Sequence, residues 1–132
     1  MLANSTCILC PTSLLSEDPL LNGEFAAAFV QGIQGNDPKY LQAAATLKHF
    51  AVYSQEANRR SLSVEATSQD MEDTYLPAFS VGIEVGKAEG LMCSYNAETY
   101  GNGLHNHSMP VPSCANRYLM NVLARGKWGF DG

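Results

Sequence analysis

Short apolar runs alternate along this chain with longer segments of helical period, and the helical segments carry start and stop signals. Asn4 to Cys10 is a strand-like apolar piece closed by Pro11. Asp18-Pro19 then opens a helix, an N-cap acceptor followed by the residue best tolerated at the first helical position. Phe25, Phe29 and Ile33, with Ala26 and Val30, fall on one face, and Gly35 suits the stop. A second apolar run, Ala43 to Leu47, ends abruptly in Lys48-His49. The polar loop Ser54 to Thr67 leads to a helix N-capped by Ser68, whose apolar face is Met71, Tyr75, Phe79 and Ile83 and which Pro77 should kink or break. Leu91-Met92-Cys93 is a third strand, ending in Ser94-Tyr95-Asn96. After a long loop to Ser113, a last helix over about Cys114 to Arg125 presents Tyr118, Leu119, Val122 and Leu123. Strand and helix alternating without a hairpin signal predict right-handed βαβ units on a parallel sheet, an α/β fold. Three such strands leave exposed edges, so the chain reads as cut out of something larger.

A length of 132 residues allows one domain, 1–132, with one modest core. Its 45% hydrophobic and 16% charged residues are those of a globular chain rather than a disordered one. The net charge of −5, with Arg59-Arg60 as the one adjacent basic pair, argues against nucleic acid or an anionic membrane as partner. No apolar run approaches the roughly 20 residues that span a bilayer. The first ten residues lack a basic region and a long apolar stretch, so no signal peptide is read in the chain. Cys7-x-x-Cys10 has no second pair or His-x₃₋₅-His partner at metal spacing, and His105 and His107 read as exposed loop residues. Neither a metal nor a cofactor is expected.

Chemistry in parallel α/β folds gathers where strands end. Two strand ends here are unusually polar, Lys48-His49 and Tyr95-Asn96. An ammonium and an imidazole can hydrogen-bond hydroxyl groups, and a tyrosine can orient or stack on a sugar ring. Spacing alone fits a solvated strand terminus and a core tyrosine better.

Five segments in order change that balance, because together they resemble glycoside hydrolase family 3. Glu17-Asp18-Pro19 through Gly35 looks like the helix that follows the family's GEDP signature, and Ala44 to Tyr53 (AATLKHFAVY) resembles its KHF strand. Gln69 to Phe79 (QDMEDTYLPAF) is similar to its DLEETYLPPF helix, and Leu91 to Asn96 (LMCSYN) to its MCSYN strand. Pro112 to Asn116 (PSCAN) with Lys127 to Gly132 (KWGFDG) complete the order. The wording is closest to the β-xylosidase-like branch, with β-glucosidases next.

The resemblance implies a fragment, about three βα units, of a (β/α)₈ barrel that an α/β sandwich follows in the family. It implies retaining hydrolysis of terminal β-linked xylose, glucose or arabinose, so a carbohydrate is the expected partner. Lys48 and His49 would hydrogen-bond the sugar in the −1 subsite and Tyr95 would line it. The nucleophilic aspartate would lie past Gly132 and the acid/base glutamate in a later domain, leaving no catalytic residue within 1–132. The family's arginine-rich segment is replaced here by Cys10 to Glu17, the loop from Tyr53 to Ser68 is shorter, and Glu98 to Met109 is an insertion. Members of this branch are often secreted, which agrees with sequons at Asn4 and Asn106 and implies an extracellular parent with Cys93 and Cys114 paired. Three readings stay open: an inactive fragment of a glycosidase, a carbohydrate-binding remnant, and a subunit that completes a barrel with another chain.

Overall fold

The structure, a computed structural model, describes residues 16–100 and 109–132. The expected first strand at Asn4–Cys10, the Cys7/Cys10 pair, both sequons and His105/His107 lie outside the described residues.

Helix α1, Pro19–Gln34, starts and stops as its sequence dictates. The Asp18 carboxylate accepts the Leu20 N–H at 2.8 Å, and Gly35 ends the helix at φ +77°, a conformation that costs glycine least. The expected face is buried in part, through Ala26 and Val30. Ala26, Ala27 and Val30 are buried, whereas Phe25 is 43% exposed and stacks on Phe29 with ring centroids 6.1 Å apart. The face is turned toward Ala27 because α1 packs tightly, through small residues, on the helix that carries Val81.

Strand β1, Thr46–Phe50, pairs in parallel with β3, Gly90–Cys93, between which β2, Ser63–Ala66, intervenes in sequence. Register runs Thr46 to Gly90, Leu47 to Leu91 and Lys48 to Met92, then shifts so that Phe50 meets Cys93. The parallel pairing is the α/β arrangement expected. β1 lies three residues later than the apolar run Ala43–Leu47, because Lys48 and His49 belong to the strand rather than following it. Gln34 fixes where both strands start: its Oε1 accepts the Ala45 N–H at 3.3 Å and the Glu89 N–H at 3.0 Å. One buried amide thus ties the end of α1 to the amino ends of β1 and β3.

Thr67, rather than Ser68, caps the next helical segment, in a reciprocal box with Asp70. A short α2, Ser68–Asp70, passes into a π-helical stretch, Met71–Tyr75, and α3, Pro77–Glu84, restarts with Pro77 in its first turn. The proline cannot donate, so the break falls at Leu76. A Cβ on Gly82 would stand 2.7 Å from Leu47 Cδ1, so the glycine lets α3 lie directly on β1. Phe50, Phe79, Ile83 and Leu47 join Leu119, Leu123, Trp128 and Phe130 in one core. The last helix is π-helical, Tyr118–Lys127, and its wider turn buries Leu119, Leu123 and Ala124 while Val122 stays exposed.

A second sheet occupies two segments that read as loops. β2 pairs in parallel with β4, Ala97–Tyr100, and β4 pairs antiparallel with β5, Val111–Pro112. The supposed insertion therefore begins inside β4, and β5 starts two residues after Met109. Cys93 and Cys114 form a disulfide at its base, with Cα atoms 5.3 Å apart. Constraining an unfolded loop of 21 residues is worth about 3 kcal/mol in the chain-entropy model. Urea unfolding of Cys93→Ser/Cys114→Ser should therefore lose about 3 kcal/mol against the oxidised protein; an unchanged midpoint would show that the loop is held by its strands alone.

Candidate functional site

Parallel strands share a carboxyl end, so the β1–β3 pairing sets Lys48 and His49 on the same side of the molecule as Tyr95, two residues past β3. Leu47 faces α3, so Thr46 and Lys48 take the opposite face by the two-residue period of a strand. Lys48 and His49 are half-buried and Tyr95 is exposed. Ser94 N–H donates to Phe50 O at 2.6 Å, which holds the two strand ends together just beneath these side chains.

His49 lies against Tyr53, ring centroids 4.9 Å apart, and its Nδ1 is buried without a hydrogen-bond partner among the described residues. Burial, then the Lys48 ammonium, hold the imidazole below its ordinary value; Glu56 opposes this and Arg59 adds to it. The ring is accordingly neutral at pH 7, able to donate from one nitrogen and accept at the other. Tyr53 O–H donates to Glu56 Oε2 at 2.6 Å, and Arg59 donates to Glu56 Oε1 at 2.9 Å. The Arg59 guanidinium in turn stands 5.5 Å over the Tyr95 ring. A continuous row, His49–Tyr53–Glu56–Arg59–Tyr95, thus bridges the two strand ends. The Arg59–Glu56 pair is exposed, so its consequence is orientation rather than stability.

Sequence reasoning missed Tyr53, Glu56 and Arg59. Arg59 was visible only as half of a basic pair, and Glu56 three residues before it was the available sign of a partner. It also missed Glu98, a carboxylic acid buried in β4. Among the described residues no group of three or more His, Cys, Asp or Glu side chains is placed to hold a metal ion, and no helix is long and apolar enough to cross a membrane.

Helices packed on parallel strands, with hydrogen-bonding and aromatic side chains at the strands' carboxyl ends, define one wall of a barrel-type α/β domain. The chain belongs to glycosyl hydrolase family 3, whose N-terminal domain pattern matches residues 13–132. It is 36% identical to "Probable beta-D-xylosidase 7" of Arabidopsis thaliana over 127 residues, which is 88% of this chain and 15% of that protein. Among solved structures, a family 3 exo-β-xylosidase in complex with a xylobiose aziridine probe superposes with TM-score 0.76 at 32% identity, over 88% of this chain and 14% of that one. β-Glucosidase 3B from Thermotoga neapolitana, in complex with glucose, superposes with TM-score 0.75 at 29% identity, over 94% of this chain and 16% of the other. The chain thus spans about one sixth or less of the length of these relatives.

Proposed function

We propose that the protein supplies the sugar-binding part of a retaining β-glycosidase that removes terminal β-linked xylose, glucose or arabinose, with Lys48, His49 and Tyr95 lining the subsite for the terminal sugar. The observation that carries this reading is their convergence at one end of the β1–β3 pair. An ammonium and a neutral imidazole can share vicinal hydroxyls, and the exposed Tyr95 ring offers a face to the sugar's C–H surface. Arg59, aligned over that ring, adds a fixed guanidinium at the rim. The relatives named as β-xylosidases and β-glucosidases support the substrate class. Carboxyl groups and water suffice for the chemistry, so no cofactor is called for. A secreted parent fits the Cys93–Cys114 bridge, which persists in oxidising surroundings.

The test is an NMR titration of the 132-residue chain with methyl β-xyloside and methyl β-glucoside. The Tyr95 ring resonances should shift saturably, with Kd on the order of millimolar because a site open on one side buries little of its ligand. Tyr95→Ala should abolish the saturable shifts of the Lys48 and His49 neighbourhood, and Lys48→Met should weaken binding about tenfold, the loss of one charge-assisted hydrogen bond. Equal shifts with glycerol, or none at tens of millimolar glycoside, would sink the assignment.

A further inference from the structure

Glu98 sits in the middle strand of the second sheet, between Val64 of β2 and Val111 of β5, and is 1% exposed. A carboxylate in such a place needs donors for about four lone-pair sites. Asn116 Nδ2 supplies one, at 3.3 Å to Oε1. Oε2 is buried and has no partner among the described residues. Ser113 is adjacent, but its one hydroxyl is shared, lying 3.1 Å from Asn96 O and 2.7 Å from Ser94 Oγ. The Asn116 Oδ1 already accepts the Tyr118 and Leu119 N–H groups at the head of the last helix. Among the described residues these few neutral donors leave an ionised carboxylate under-compensated, with Oε2 unpaired.

The position matters because β4 ties together the two loops of the candidate site. Tyr95 enters β4, and Arg59 lies in the segment that enters β2. The Ala97 N–H donates to Leu62 O at 3.0 Å where those segments meet. Whatever holds β4 against β2 therefore holds Tyr95 under Arg59.

We propose that Glu98 is a proton-controlled latch: as the neutral acid it lets β4 seat between β2 and β5, and its ionisation loosens that seat and the Arg59–Tyr95 arrangement with it.

Among the described residues no charged neighbour faces Glu98. On β2, Glu65 pairs with Thr99, one residue out of step with Glu98, and so projects from the other face of the sheet. β5 brings Val111 and Pro112, and the turn after it brings Ser113, the disulfide-bonded Cys114 and Asn116; Arg117 is exposed. Burial pushes the Glu98 carboxyl up to about 7, outweighing the Asn116 and Ser113 side chains, which favour the ionised form. In the unfolded chain the same group titrates near 4.5. Between those values the native state still holds a proton that the unfolded chain has released. Stabilisation from this group is whole below 4.5 and lost as pH rises through about 7, a change of about 300-fold in the opening constant. The latch requires no ligand, so it stands or falls separately from the sugar reading.

The test compares the oxidised wild-type chain with Glu98→Gln, which keeps the shape and cannot ionise. Carbon-13 NMR of the Glu98 carboxyl should show a midpoint near 7 in the wild type. Amide exchange at Ala97, corrected for the intrinsic pH dependence, should lose protection by about 300-fold between pH 4.5 and 7.5 in the wild type and hold level in Glu98→Gln. The Tyr95 ring resonances should follow the Glu98 midpoint. A Glu98 midpoint near 4.5, an unmoved Tyr95, or the same Ala97 profile in both proteins would each overturn the proposal. The wild-type carboxyl titration decides it even if the glutamine variant does not fold.

Discussion

Purified as the 132-residue polypeptide, the protein is expected to leave p-nitrophenyl β-xyloside and β-glucoside uncleaved. Retaining hydrolysis needs a nucleophilic carboxylate and an acid about 5 Å apart across the glycosidic bond. Each described carboxylate near a plausible route to substrate is already committed or misplaced. Asp18 caps α1, and Asp70 closes a capping box with Thr67. Glu72, Asp73 and Asp131 are exposed, the first two on the π-helical turn and the last near the chain end. Glu98 is buried within the second sheet, on β4. Glu56 alone stands at the strand ends, and its two oxygens are taken by Tyr53 and Arg59. One carboxylate without a second can form no glycosyl intermediate and protonate the leaving group as well. Loss of the nucleophile in a serine hydrolase removes about 10⁶-fold of rate. The assay sets the short chain beside the same sequence joined to the remaining length of a xylosidase relative. Turnover by the short chain above the buffer blank would refute the expectation, and turnover by the extended chain alone would assign the missing carboxylates to the added length.

The parts of this architecture that the sequence spells out are those decided within a few residues. Asp18-Pro19 and Gly35 delimit α1 because capping and positive φ are local chemistry. Pro77 breaks its helix for an equally local reason. The strand ends bearing Lys48, His49 and Tyr95 were legible because the segments around them resemble family 3 word for word. The second sheet was not. β2 is four residues long, with Ser63 and Glu65 exposed, too short for alternation to stand out from a polar loop. β4 carries Glu98 inward, against the strong rule that glutamate stays wet, so its pattern points the wrong way. The α1 face was legible in part: Ala26 and Val30 are buried as their period predicts, and only the closeness of α3 turns the face toward Ala27 and leaves Phe25 exposed. Arg59 and Glu56 could be paired on paper, but their placement beside Tyr95 depends on the β2–β4 contact, a non-local fact.

Phe50→Ala should be the most damaging single substitution in the first sheet, lowering stability by about 3–5 kcal/mol. Phe50 is fully buried at the carboxyl end of β1. Its ring meets Phe79 edge-on at 5.0 Å and Trp128 edge-on at 5.9 Å, so it joins β1 to α3 and to the segment after the last helix. Truncation removes the transfer energy of the ring and leaves a hole bounded by two rigid aromatics, which cannot collapse inward without moving backbone. Domains of this size hold about 5–15 kcal/mol in all, so the variant should sit near its unfolding transition at 25 °C. Phe50→Leu, which keeps most of the volume and forfeits the edge contacts, should lose only about 1–2 kcal/mol. The chain has one tryptophan, and it is Trp128, so urea unfolding followed by its fluorescence reports on this very contact. The site should suffer with the core, because Phe50 O receives the Ser94 N–H that locks the two strand ends. Loss of that lock predicts that the Tyr95 ring resonances broaden in Phe50→Ala and stay sharp in Phe50→Leu. An alanine variant less than about 1 kcal/mol below wild type would mean that the aromatic cluster packs loosely and that β1 is anchored elsewhere.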